Sequence, residues 1–197
     1  MTGAYPPAPW RLRGVAGIVP VPIRADRARA FLPDDVELVS AGGWTVGGVL
    51  LAHYDETATL SYRELIVFAG MARAGARVGM WVSHIVVDLE TSVAGGRGIW
   101  GLPKHFERNA AHLVRASYRP PRLRLPLPLT PAIFGRGPDG ELLHTATRGT
   151  MRGGLGVVRL DVPPDSPLAP LGLSGTWPAI AGEELDLPFP APTVVGP

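Results

Sequence analysis

The sequence predicts an α+β fold, mainly antiparallel β-sheet with a few short helices. Three observations predict it. The 25 glycines and 22 prolines fall between short apolar stretches instead of forming a repeat, which is how strand-rich domains are punctuated. Those stretches are rich in β-branched and aromatic residues, the side chains that fit a pleated, half-buried surface. Only two segments carry helix signals, and both are short.

In chain order, residues 26–32 read as a helix capped by Asp26 and stopped by Pro33, with Ala28, Phe31 and Leu32 facing inward. Residues 44–54, 59–68 and 78–89 follow as three strands of an antiparallel meander, separated by turn-forming glycines. Residues 90–99 break the strand pattern with small side chains and run into Gly101-Leu102-Pro103, so a short helix feeds a tight loop. Lys104 comes directly after that loop. Residues 111–118, 122–127, 142–147 and 155–162 are further strands, with the prolines between 120 and 131 at edges and bends. The tail, 188–197, is expected to be extended and little ordered. A length of 197 residues suits one domain spanning 1–197, whose core needs neither a metal nor a crosslink.

Composition narrows the function. With 46% hydrophobic and 18% charged residues the chain reads as globular and soluble. No apolar run approaches the ~20 residues of a spanning helix, and the proline-containing N-terminus lacks the apolar centre of a signal peptide. The expected compartment is therefore the cytoplasm, without membrane contact. The absence of cysteine excludes a disulfide, a thiolate nucleophile and cysteine-ligated zinc. A net charge of +2, with the arginines scattered, gives no footprint for nucleic acid. His53, His84, His105, His112 and His144 have no metal-binding spacing, and neither a GxSxG nor a GxxxxGK[ST] motif occurs, so no metal, nucleotide or serine nucleophile is expected.

The sharpest compositional fact is that 18 of the 19 basic residues are arginine and one, Lys104, is lysine. Arginine can place positive charge anywhere on a surface. It cannot supply a deprotonated amine, because its pKa lies above ~12, whereas the ~10.4 of lysine can be lowered by its surroundings.

The stretch Ala94-Gly95-Gly96-Arg97-Gly98-Ile99-Trp100-Gly101-Leu102-Pro103-Lys104 resembles the segment of acetoacetate decarboxylases in which a GRE-like turn runs through G-x-P-K to the imine-forming lysine. Ile23-Arg24-Ala25-Asp26, followed by Leu32-Pro33, is similar to the element that carries an active-site arginine in that family. Ser61-Tyr62-Arg63-Glu64 is similar to the one that carries its glutamate. The resemblance spans about residues 15–115. His105 stands where authentic acetoacetate decarboxylases have a second lysine, and Gly98 where many relatives have glutamate.

The resemblance implies a cone or barrel-like sheet enclosing the site, in a homo-oligomer, with no cofactor. It implies catalytic roles for Lys104, Glu64 and Arg24, and contacts to substrate from Trp100, Leu102 and His105. Lys104 would condense with a small β-keto acid, and the resulting iminium would accept the electrons released on decarboxylation. Arg24 would hold the substrate carboxylate, while Glu64 would orient Arg24 or shuttle protons. An unperturbed lysine is neutral in about one molecule in 2,500 at pH 7. Lowering its pKa to ~7 takes ~4 to 5 kcal/mol of bias against the ammonium, which burial among Ile99, Trp100 and Leu102 is expected to supply. Two rival readings are an aldolase or dehydratase that keeps the imine but acts on another oxo acid, and a non-catalytic barrel that binds a small molecule.

Overall fold

Long strands dominate the structure, a computed structural model that describes residues 5–195. The first, β1 (Trp10–Arg24), was hidden in the sequence by Pro20 and Pro22. It sits between two other strands, where proline is normally excluded. The register explains the exception: β12 (Gly175–Phe189) pairs with β1 only as far as Ile18, so beyond that point β1 has β3 (Trp44–Tyr54) on one side alone. The two prolines share the same strand parity, so their missing donors point to the vacated side.

After β1 come α1 (Ala25–Arg29), β2 (Glu37–Leu38), β3, β4 (Tyr62–Ala74), β5 (Arg77–Val87), α2 (Glu90–Trp100) and β6 (Lys104–Phe106). Then follow β7 (Arg115–Arg119), β8 (Leu125–Leu129), β9 (Ala132–Arg136), β10 (Leu142–Ala146), β11 (Gly149–Asp161), a 3-10 turn at Ala169–Leu171, β12 and β13 (Thr193–Val195). The three-strand meander of the sequence reading is β3-β4-β5, antiparallel as expected, though β4 begins and ends later than residues 59–68. Helix α1 is shorter than residues 26–32. Arg24 occupies its cap without a side-chain bond, and Asp26 lies inside the first turn with its Oδ1 accepting the Arg27 amide.

The strands form one sheet ordered β13-β10-β9-β5-β4-β3-β1-β12-β11-β7, with β2, β6 and β8 paired to β4, β5 and β11. Among the described residues, only β5 with β6 and β5 with β9 run parallel; the other pairs are antiparallel. Strands on opposite flanks are joined by very short links. Thr130-Pro131 joins β8 to β9, and Thr147-Arg148 joins β10 to β11. A link spans at most ~3.6 Å per residue, so the two flanks must approach each other and the sheet curls into a barrel-like wall. The Thr147 amide donates to Pro131 O at 3.0 Å and holds the links together.

Such a tight curl needs close backbone crossings, which accounts for the glycines that obscured the first half of β11. A Cβ on Gly153 would lie 2.7 Å from Ala181 O, and one on Gly154 would lie 2.0 Å from Leu123 O. The tail is also ordered, contrary to expectation. β12 runs to Phe189, and β13 pairs Leu142, Leu143 and His144 with Val195, Val194 and Thr193. Each face of the sheet carries its own apolar core. One is built from Val21, Ile23, Val67 and Leu160 under α1 and the 3-10 turn, the other from Trp10, Tyr62, Ile85, Trp100 and Leu187 beside α2. Among the described residues, no helix is long and apolar enough to cross a membrane.

Candidate active site

Helix α2 sets the position of Lys104. It ends at Gly101, whose left-handed backbone (φ 61°) reverses the chain and returns an amide to Gly96 O. A Cβ at Gly101 would also lie 2.3 Å from the Arg136 backbone. Leu102 and Pro103 then lead into β6, where Lys104 pairs with Ile85 of β5. The lysine stem crosses α2 at Gly96, where an added Cβ would sit 2.4 Å from Lys104 Cδ. Glycine inside a helix costs about 1 kcal/mol relative to alanine. Here the cost admits the lysine.

Lys104 and Glu64 are buried together, with side chains 5% and 4% exposed. Lys104 Nζ donates to Glu64 Oε1 at 2.6 Å, to Ser92 Oγ at 3.0 Å and to Tyr62 OH at 3.3 Å, which engages all three protons of an ammonium. The Tyr62 ring also faces Nζ, 4.9 Å from its centroid. Tyr54 OH donates to the other carboxylate oxygen, Glu64 Oε2, at 2.8 Å. Burial lowers the Lys104 pKa, but the Glu64 carboxylate and the Tyr62 oxygen more than offset it, so the amine lies above its ordinary value. This corrects the expected depression: desolvation is the largest single influence, but the charge and hydrogen bonds of Glu64 and Tyr62 together exceed it. Burial, reinforced by Glu64, pushes Tyr54 well up and Tyr62 to about 12, so both remain neutral phenols.

The cluster opens on a cavity of about 230 Å³. Trp10, Ile18, Ile66, Phe68, Leu185 and Phe189 are among its walls, and Trp100 and Leu102 also line it. A larger cleft of about 560 Å³ lies on the other face of the sheet, against Val15, Leu51 and Val158, and Lys104 does not reach it. Among the described residues, no three His, Asp or Glu side chains converge to hold a metal.

Two expected site residues lie elsewhere. Arg24 is half exposed, bonded to Asp26 at 3.4 Å and stacked 5.5 Å over the Trp44 ring. It stands six residues beyond Ile18 on an extended strand, roughly 20 Å past the cavity wall. His105 is exposed because successive strand residues face opposite sides, so the position after Lys104 must turn outward. Arg97 fixes both. Its Nε donates to Lys104 O at 2.7 Å, and its Nη2 lies 3.2 Å from His105 Nδ1. A guanidinium only donates, so Nδ1 accepts and the ring proton sits on Nε2.

Sequence reasoning missed Tyr54, Tyr62 and Ser92. Two were findable. Tyr62 precedes Glu64 by two strand positions and so shares its face, and Ser92 precedes Gly96 by one helical turn and so shares the face that Lys104 crosses. Tyr54 arrives only through the register that places it opposite Tyr62.

A sequence model described as acetoacetate decarboxylase matches residues 1–110. Protein NEOXANTHIN-DEFICIENT 1 of Solanum lycopersicum is 31% identical over 116 residues, covering 59% of this chain and 39% of that protein. The protein of the same name from Oryza sativa subsp. japonica is 34% identical over 110 residues, 54% of this chain and 36% of the relative. The chain thus spans well under half the length of these curated relatives. Among solved structures, an acetoacetate decarboxylase from Legionella pneumophila superposes with a TM-score of 0.60 at 17% identity, covering 98% of this chain and 89% of its own. The enduracididine biosynthesis enzyme MppR, complexed with pyruvate, superposes with a TM-score of 0.62 at 13% identity, covering 97% and 91%. At these identities the likeness is one of fold.

Proposed function

The chain belongs to the acetoacetate decarboxylase family, and from that premise we propose that it is a Schiff-base-forming enzyme in which Lys104 condenses with a carbonyl substrate. The observation that carries this reading is the 2.6 Å contact between Lys104 Nζ and Glu64 Oε1 at the wall of an apolar cavity. It supplies a nucleophile and, in direct contact, a group able to take its proton.

Glu64 first accepts one proton from the Lys104 ammonium. The neutral amine attacks the carbonyl carbon and passes its second proton to the oxygen, giving a carbinolamine. Glu64 then returns its proton to that hydroxyl, water leaves, and an iminium with one N–H remains beside the Glu64 carboxylate. Tyr54 holds that carboxylate in place, and the Tyr62 ring faces the positive charge. If the substrate is a small β-keto acid, the bond to its carboxylate breaks and the electron pair moves into the iminium. Carbon dioxide departs and the enamine left behind is protonated. Decarboxylation is the reaction carried by the family name, and aldol or dehydration chemistry can proceed from the same enamine. We read residues 1–197 as one domain, because a single sheet carries every described strand.

The test is reductive trapping with cyanoborohydride in the presence of carbonyl compounds, followed by peptide mapping. Lys104 is the sole lysine, so the expected result is a mass increase on its peptide that Lys104→Met abolishes. Absence of that adduct across ketones, aldehydes and oxo acids would favour the non-catalytic binding barrel. Carbon dioxide release from acetoacetate separates the decarboxylase from the other imine reactions.

A further inference from the structure

We propose that the Lys104 cavity takes a neutral ketone or aldehyde with an apolar body, in preference to an oxo acid. This rests on the imine reading above and adds the substrate class. Three observations carry it. Lys104 and Glu64 already balance each other, and among the described residues no arginine or histidine lines the cavity. Arginines on the wall strands are engaged elsewhere: Arg63 bonds Asp88, Arg11 and Arg13 bond Asp186, and Arg24 lies beyond the wall, bonded to Asp26. The indole donors are occupied as well, Trp10 Nε1 by Pro6 O at 2.8 Å and Trp100 Nε1 by Pro190 O at 2.7 Å, so both rings offer only carbon to the cavity.

Once the imine has formed, the site holds one iminium and one carboxylate. A neutral substrate keeps that balance. An oxo acid brings a second carboxylate into an apolar enclosure that already contains Glu64, with no cation to receive it, and an unpaired buried charge is strongly disfavoured. Apart from the Lys104 cluster, Thr130 is the one polar side chain on the wall among the described residues. An apolar cavity of about 150 Å³ holds benzene, so one of about 230 Å³ fits a somewhat larger body.

The test pairs 2-nonanone with 8-oxononanoate, which present the same methyl ketone and differ in a terminal carboxylate. Trapping at Lys104 reads imine formation, and quenching of tryptophan fluorescence without reductant reads binding alone. The ketone is expected to half-saturate both at a concentration at least about tenfold lower. Equal or better performance by the acid in both assays overturns the inference while leaving the imine reading intact. Tighter binding of the ketone with no adduct from either compound overturns the imine reading and leaves the ligand class standing. No binding of either overturns both.

Discussion

Three acceptors surround the amine of Lys104, and only one of them, Glu64, carries charge. Removing that charge while keeping the shape should therefore reverse the sign of the pKa shift. In Glu64→Gln the desolvation that already opposes the ammonium is left without its main counterweight, so the pH at which Lys104 becomes half reactive toward a neutral acylating reagent should fall. A charge at 4 Å is worth about 1 to 4 kcal/mol as the effective dielectric drops from ~80 to ~20, so the fall should be at least about one pH unit. Imine formation should nevertheless slow, because the amide cannot return a proton to the carbinolamine. His105→Lys should leave the reactive pH of Lys104 unchanged, since the new ammonium would lie in solvent across the strand. A drop of a full unit there would contradict the outward placement of His105.

Helix α2 and the tail carry the element-scale expectations. Gly96→Ala gains about 1 kcal/mol of helix propensity but forces a methyl into Lys104 Cδ, an overpacking that costs about 1 to 3 kcal/mol. Stability should therefore change by no more than about 2 kcal/mol, while trapping at Lys104 slows at least about tenfold because the amine is displaced from Glu64. Denaturant titration and the trapping rate read the two effects separately. The tail anchors the C-terminal end of the same helix: Trp100 Nε1 donates to Pro190 O, and the Trp100 ring packs 5.0 Å from Phe189. Truncation after Phe189 removes that acceptor, the β13 pairing and the Thr193 bond to His144 O. At about 0.5 to 1.5 kcal/mol per hydrogen bond, it should cost about 2 to 4 kcal/mol of unfolding free energy. A tail without structural weight would cost nothing measurable.

At the scale of the whole molecule, the buried cluster should make the fold sensitive to alkali. Lys104, Tyr54 and Tyr62 all have folded pKa values above their ordinary ones. Each therefore binds its proton more tightly when folded, and contributes stability that is fully present below about pH 10 and is lost as pH rises through the folded values. The unfolding free energy should hold steady from neutral pH to about 10 and then fall. In Lys104→Met the fall should be shallower, because one of the three linked protons is gone. A stability curve that stays flat to pH 12 would show that the cluster is hydrated. The curl of the sheet makes these effects global, because the short links at Thr130-Pro131 and Thr147-Arg148 bind flanks far apart in strand order.

Local pattern determined much of this protein. The β-branched and aromatic stretches of β3, β4 and β5, the small residues of α2, the Gly-Leu-Pro turn and the solitary Lys104 are all properties of neighbouring residues, whereas Glu64, Trp100 and Leu102 entered the reading through the family resemblance. What local pattern could not reach was pairing at a distance. β1 and β12 carry prolines and glycines that argue against strands until the register shows an unpaired side at Pro20 and a close crossing at Gly182. Arg24 matches a motif in sequence yet lies along an extended strand, beyond the cavity. The protonation of Lys104 was decided in the same way: sequence supplies an amine and a carboxylate 40 positions apart, and only the pairing of β4 and β6 on either side of β5 brings them together, where Glu64 and Tyr62 jointly offset the cost of burial.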